Sequence, residues 1–186
     1  MGRIAVNLFT TLDGSAEHPD RWHGPYFDEA MGQAVDRHTS RCESYLMGRV
    51  LYDQWSRYWP DNDSDDFADF INPVPKYVLS TTLSDPAWAG TTVVRNLGQL
   101  RELRERTPGT IGMSGSLTTV RSLLGAGLLD ELDLLVDPVV VSGERRWTDG
   151  VEHTPLELIS SETLPTGVVH LVYRPTAPQA PATVVR

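Results

Sequence analysis

At 186 residues the chain is long enough for one domain with a full core, and its net charge of −9 argues against a nucleic-acid partner, which would be met by a basic face. Cys42 is the only cysteine, which excludes a disulfide framework and a thiolate zinc site. No apolar run reaches the ~18 residues of a membrane span, and the opening MGRIAVNLFTT lacks a signal-peptide layout, so no membrane partner and a cytoplasmic setting are the default expectations.

Residues 3–9 (RIAVNLF) are rich in β-formers and open a sheet, which the chain leaves through the Asp13-Gly14 turn. Residues 18–25 (HPDRWHGP) form a loop of the kind that covers a sheet end. A helix is predicted over 26–40, a second strand over 42–47, and a second helix from Gly48-Arg49 through Leu51, Tyr52 and Trp55 to about Tyr58. Asp61, Asp63 and Asp65 alternate as at the start of a calcium loop. The sixth position is Asp66 instead of glycine and the twelfth Asn72 instead of glutamate, which points to a solvated acidic loop. A short helix over 67–71, strands over 76–83 and 92–94, and an exposed, charged helix over 97–106 follow.

The stretch from Thr110 to Val141 reads as strand, glycine turn, helix, strand. Ile111 and Met113 are a short apolar segment, and Ser114-Gly115-Ser116 is a turn that can also start a helix. Leu117, Val120, Leu123 and Leu124 recur at helical spacing; Gly125 and Gly127 stop that helix, and 132–141 reads as a strand covered on both faces. A small-residue turn between a strand end and a helix start leaves N–H groups unpaired and is an anion site, here suited to a dinucleotide pyrophosphate. A polar loop over 143–154 leads to an antiparallel pair, 156–164 and 168–173, turned by Pro165-Thr166-Gly167. The last eleven residues, mostly Ala, Pro, Thr and Val, are expected to be a disordered tail after a domain over 1–175. The fold class is α/β, a three-layer fold with a mostly parallel central sheet and an antiparallel C-terminal hairpin; ligands bind such sheets beyond the carboxyl ends of the strands.

Thr11-Leu12-Asp13-Gly14, Leu46-Met47-Gly48-Arg49-Val50-Leu51-Tyr52, Pro75-Lys76-Tyr77-Val78-Leu79-Ser80, and Gly115-Ser116 with Gly127-Leu128-Leu129-Asp130-Glu131-Leu132 and Pro138-Val139-Val140 occur in order. On these motifs the chain resembles the dihydrofolate reductase-like superfamily, and within it the reductase domain of the bifunctional riboflavin-biosynthesis protein and its stand-alone bacterial relatives. The resemblance implies NADPH as cofactor, hydride transfer to a small heterocyclic or conjugated acceptor, and a homodimer. By the same resemblance Thr11, Gly48, Arg49, Val50, Ser80, Thr81, Thr82, Ser114, Gly115, Ser116 and Leu117 are cofactor contacts. Arg49 at a helix start can pair with a phosphate, and Ser80, Thr81 and Thr82 can donate to the 2′-phosphate.

Asp13 and Asp28 are the candidate proton sources, with Asp13 also placed against substrate, and Trp22, Tyr52 and Trp55 are candidate walls for a flat ring, or ordinary core aromatics. Riboflavin-pathway reductases usually carry lysine at Asn7 and alanine at Phe9, which argues against the same sugar-phosphate substrate, a 5-amino-6-(5-phosphoribosylamino)uracil. Ser142-Gly143-Glu144-Arg145-Arg146-Trp147 replaces a glycine-rich segment of the family. His18, His23, His38, His153 and His170 form no metal-binding pair, so no metal is expected. A non-catalytic NADP(H)-binding or assembly protein that keeps the fold is the alternative reading. The 132–141 strand, too apolar for an open edge, also points to a homodimer.

Overall fold

The computed structural model describes residues 1–62 and 66–176. Eight strands make one sheet: β1 (Arg3–Thr11), β2 (Cys42–Gly48), β3 (Lys76–Leu79), β4 (Thr91–Val94), β5 (Thr110–Ser114), β6 (Glu131–Asp137), β7 (Leu156–Thr163) and β8 (Val169–Pro175), in the order β4-β3-β2-β5-β1-β6-β8-β7. The first six run parallel, and β8 and β7 close the sheet antiparallel. Helices α1 (Glu29–Thr39), α2 (Arg49–Tyr58), α3 (Asp66–Ile71), α4 (Leu97–Arg106) and α5 (Leu117–Gly125) cover it.

Side-chain alternation along the strands sorts residues onto two faces. On one face Ile4, Val6, Leu8, Ile111, Met113, Leu132 and Leu134 make a continuous core with Leu100 of α4 and Leu117, Val120 and Leu123 of α5. Burying each such aliphatic side chain contributes about 1.5–3 kcal/mol. The opposite face carries two separate clusters. Tyr45, Met47 and Val78 pack with Tyr52 of α2 and Ile71 of α3, while Leu135, Leu164 and Val168 pack with Met31 and Ala34 of α1. Between them lie Asn7 of β1 and Ser114 of β5, which are register partners. Apolar clusters thus lie under each helix, with buried polar groups such as Asp133 and Lys76 beside them, and Asn7 and Ser114 lie between the clusters.

Several boundaries differ from the sequence expectation. The first helix starts at Glu29 instead of Tyr26, because the Asp28 carboxylate accepts the Met31 amide (2.9 Å) and caps it there. β3 stops at Leu79 because Ser80 Oγ accepts from the amides of Thr82 and Leu83 (3.2 and 3.1 Å) and turns the chain. β6 stops at Asp137, before Pro138, which has no N–H for the ladder. It lies inside the sheet between β1 and β8, so it is no open edge, and that argument for a dimer falls; the edges are β4 and β7. The middle of the acidic loop, 63–65, and the tail from 177 lie outside the described residues.

The N-terminal end of the sheet is held by charge. Asp130 accepts the Ile4 amide (2.8 Å) and pairs with Arg104, and Glu131 pairs with Arg3 (3.1 Å) and Arg41. Asp130 and Glu131 thus fasten the end remote from the strand carboxyl termini. Lys76, fully buried, donates to the carbonyls of Asn72, Val74 and Ala89 and sits over Trp88. No helix among the described residues is long and apolar enough to cross a membrane.

Candidate active site

The carboxyl ends of β1, β2, β3, β5 and β6 share one edge of the sheet, and the small and polar residues picked out in the sequence collect there. The turn after β5 is the most unusual backbone in the group: Gly115 has φ +77° and Ser116, a non-glycine residue, φ +61°. A left-handed L-residue costs about 1–2 kcal/mol. Ser116 offsets part of that by accepting the Gly48 amide on its Oγ (2.8 Å), which ties the start of α5 to the start of α2. Its side chain therefore does not cap α5, and the amides of Leu117, Thr118 and Thr119 in the first turn have no intrahelical acceptor. A Cβ on Gly115 would meet nothing within 4 Å, so the space over this turn is open.

Gly48 has a packing role in the fold. A Cβ there would lie 2.7 Å from Thr119 Oγ1 and 2.8 Å from Ser116 Oγ. The glycine allows α5 to approach β2, and it is this contact that brings the two helix starts together. Beside them the Tyr45 hydroxyl meets Ser114 Oγ, and burial pushes the Tyr45 phenol well above its ordinary pKa.

Arg49 leads α2. Its Nε donates to both oxygens of Asp53 (2.8 and 2.8 Å), and its Nη1 lies 3.4 Å from Thr82 Oγ1. The structure thus joins the arginine-led helix start to the Ser80-Thr81-Thr82 turn. Arg95, which the sequence reading passed over, reaches the same turn from the end of β4, with Nη1 donating to the Ser80 carbonyl (3.2 Å). Two guanidiniums flank one hydroxyl-rich turn in a protein whose overall charge is strongly negative. Its only sequence signal was a cation directly after a short strand. Val50 is exposed on α2, whereas Leu117 is buried in the core.

The two predicted proton sources are both engaged. Asp13 accepts from the Thr11 hydroxyl (2.6 Å), the Ser15 hydroxyl (3.3 Å) and the Val141 amide (3.1 Å). The Thr11 bond, then the Val141 amide, hold its carboxyl below the ordinary range, which suits an anion pinning a turn. Asp28 caps α1. Of the predicted ring walls, Tyr52 is core, its hydroxyl accepting the Trp88 amide (3.2 Å), and Trp55 stacks on Tyr45. Trp22 is buried, with Nε1 donating to the Glu17 carbonyl (2.9 Å).

Next to Trp22, His23 was not singled out by its sequence context. Its Nδ1 lies 2.8 Å from Asp137 Oδ2, and its ring stacks on Phe9 with centroids 3.9 Å apart. The altered loop of the sequence closes over the neighbouring segment: Trp147 N donates to the Gly14 carbonyl (3.0 Å), Arg146 Nε to the Asp13 carbonyl (2.7 Å), Arg145 pairs with Glu17 and Arg21 with Glu144. Among the described residues no group of three or more His, Cys, Asp or Glu is placed to hold a metal ion.

With this geometry in view, the comparisons are specific. A family model described as the RibD C-terminal domain matches residues 3–170. The uncharacterized protein YyaP of Bacillus subtilis is 27% identical over 180 residues, covering 92% of this chain and 94% of that protein. Among solved structures, a putative riboflavin biosynthesis protein from Shewanella sp. PV-4 is similar with a TM-score of 0.72 at 17% identity, over 94% of this chain and 99% of that one. Dihydrofolate reductase from Enterococcus faecalis, complexed with NADP(H), has a TM-score of 0.63 at 12% identity, over 94% and 97%. At such identities the structural likeness establishes the fold, a dihydrofolate reductase-like α/β architecture.

Proposed function

The chain belongs to the RibD C-terminal domain family, and from that premise we propose that it is an NADPH-dependent reductase acting on a small heterocyclic or conjugated acceptor. The observation that carries the reading is the convergence of three phosphate-competent features on one sheet edge: the left-handed Gly115-Ser116 turn, the start of α5, and the turn at Ser80–Thr82 between Arg49 and Arg95. The fit to a dinucleotide is good at both of its charged ends. The free amides of the first turn of α5 suit a pyrophosphate, and the paired guanidiniums with Thr81 and Thr82 suit a 2′-phosphate. NADPH, when bound, supplies hydride. The chain's own work is to hold the dinucleotide by these groups, present the acceptor in the polar seam at Asn7 and Ser114, and exclude water. Asn7 and Phe9, at positions where a lysine and an alanine are usual, support an acceptor other than the phosphoribosylaminouracil.

A non-catalytic NADP(H)-binding protein is the second reading, favoured by one observation: both expected carboxylate donors are committed to turns and caps. Titrating the protein with NADPH, then offering pterins, aminouracils and quinones while following the nicotinamide absorbance, separates the two. Consumption with any acceptor supports the reductase. Tight binding with no consumption supports the second reading, and no binding removes both. The homodimer implied by the resemblance would pair copies along the edge strand β7, where Leu158 and Ile159 are exposed, in a soluble, cytoplasmic protein; sedimentation at the monomer mass refutes that assembly.

A further inference from the structure

We infer that His23, held by Asp137, is the proton donor to the acceptor, an assignment that rests on the reductase reading above. His23 is 7% exposed and Asp137 fully buried, and together they are joined by the 2.8 Å Nδ1–Oδ2 contact. Phe9 lies beneath the ring, and Trp22 and Phe27 meet it edge-on with centroids 6.0 and 5.5 Å away. An ionisable ring with a carboxylate on one nitrogen and apolar surfaces around it is an expensive arrangement for packing alone. The other nitrogen, Nε2, is buried and meets no hydrogen-bonding group among the described residues, and neither does Asp137 Oδ1. Asp13 pins the turn, Asp28 caps α1, and Arg21 and Glu144 tie the loops, whereas His23 Nε2 and Asp137 Oδ1 serve none of these contacts.

The placement follows from the sheet. Asp137 ends β6 opposite Thr11, and Phe9 lies two residues earlier on β1, on the same face as Asn7. Asp137 at the end of β6 holds one nitrogen, and the ring stacks on Phe9 of β1, the strand that carries Asn7 on the same face. Asp137 also fixes the ring's tautomer by accepting from Nδ1–H, and when Nε2 is protonated it provides the counter-charge. The charged group in contact with His23 is Asp137 of β6; in its own segment Arg21 pairs with Glu144 and Asp28 caps α1, and β1 places Phe9 against the ring.

The step balances simply. A carbon of the acceptor's C=N or C=O gains hydride from the reduced dinucleotide, and the π pair moves to the heteroatom. A new N–H or O–H bond forms there as the Nε2–H bond breaks. The imidazole, still donating Nδ1–H to Asp137, regains its proton from water. Asp137 acts through His23 and is a positioning residue.

The test uses wild type, His23→Gln, His23→Ala and Asp137→Asn, with NADPH binding followed by nicotinamide fluorescence and turnover measured on 7,8-dihydropterin, a 5-aminouracil ribosylamine and 1,4-benzoquinone. A positioned general acid is worth about 10²–10⁴-fold, so His23→Gln loses on the order of 100-fold or more in kcat with its NADPH Kd unchanged. Wild-type kcat falls as pH rises, and that limb disappears in His23→Gln. Added imidazole restores turnover to folded His23→Ala. Side-chain 15N spectra show His23 protonated at Nδ1 in the wild type and mixed tautomers in Asp137→Asn. An unchanged kcat and pH profile in His23→Gln, no imidazole rescue, or an Nε2-protonated tautomer overturns the assignment and leaves the cofactor reading standing. Absence of NADPH binding in the wild type overturns both.

Discussion

Replacing Arg49 with alanine should weaken NADPH much more than NADH. The two dinucleotides differ only in the 2′-phosphate, so a residue that reads that group discriminates between them and one that serves α2 does not. A hydrogen bond to a charged group is worth ~1.5–3 kcal/mol. Two features of the structure reduce that here: the side chain is 39% exposed, and Nε is already committed to both oxygens of Asp53, an i,i+4 partner that competes for the charge. Screening and competition together bring the expected loss to about 1–2 kcal/mol, a factor of ~5–30 in Kd. The assay is fluorescence titration of wild type, Arg49→Ala, Arg95→Ala and Asp53→Asn with each dinucleotide at low and at ~150 mM salt, where the Debye length falls to ~8 Å. Arg95→Ala should behave like Arg49→Ala, and Asp53→Asn should tighten NADPH and leave NADH unchanged. Proportional losses for both dinucleotides in Arg49→Ala would refute the reasoning, because the arginine would then be acting through the helix.

Three stability predictions follow from the same geometry. Gly48→Ala forces a Cβ to within 2.7 Å of Thr119 Oγ1 and 2.8 Å of Ser116 Oγ, and should cost ~1–3 kcal/mol in urea unfolding, partly recovered by adding Thr119→Ala; a neutral Gly48→Ala would contradict the close approach of α5 to β2. Ser116→Ala and Ser116→Gly both lose the acceptor for the Gly48 amide, but only glycine relieves the left-handed φ of +61°. The glycine variant should therefore be ~1–2 kcal/mol the more stable, several degrees in melting temperature, and equal melting points would show that the turn is unstrained. Asp133 is buried between His170 Nε2 (2.7 Å) and His38 Nδ1 (3.6 Å). Burial raises its pKa, but the hydrogen bonds and charge of the two histidines outweigh that and hold it at about 2, from an ordinary 3.8. A depressed carboxyl pKa stabilises the fold above the unfolded value and loses that stability as pH falls through the folded one. Acid unfolding should therefore show a loss of ~2–3 kcal/mol between about pH 4 and 2 that is absent from Asp133→Asn, and parallel curves would remove the coupling.

Patterns confined to one segment were legible in the sequence. The 3.6-residue spacing of Leu117, Val120, Leu123 and Leu124 is a property of α5 alone, and α5 begins and ends where that spacing and the flanking glycines put it. Arg49 and the Ser80–Thr82 turn could be joined before the structure because a helix start and a strand end advertise their own unpaired groups. What escaped were features that exist only between segments. Arg95 makes its 3.2 Å contact with a carbonyl fifteen residues away, and His23 meets a carboxylate 114 residues away. Neither has a local signature. The outward roles expected of Asp13, Asp28 and Gly48 rest on the same kind of local pattern. Each does work on its own backbone neighbourhood, a turn, a helix start or a helix approach, that a motif does not distinguish from ligand contact.

The polar seam gives the proposed acceptor site its place in the fold. A sheet eight strands wide cannot have one face covered by a single helix, whose diameter with side chains is only ~10–12 Å. Here the face is shared between α2 with α3 over β2 and β3, and α1 over β6 and the β7–β8 turn, so two apolar clusters form instead of one. β1 and β5 are the central pair of the sheet, and they carry Asn7 and Ser114 at the same register on that face, with Phe9 of β1 packed against the α1 cluster. Asn7 is buried there with no hydrogen-bond partner for its Nδ2 among the described residues, which leaves a polar group for a ligand. His23 stacks on Phe9, which packs against the α1 cluster, and Arg49 starts α2, which packs against the other. A flat acceptor between them would meet the proton donor from one wall while the dinucleotide is gripped from the other. Filling the seam by Asn7→Leu should therefore stabilise the fold, by bridging the two clusters, while abolishing acceptor binding and sparing NADPH; a variant that is both destabilised and fully active would place the acceptor elsewhere.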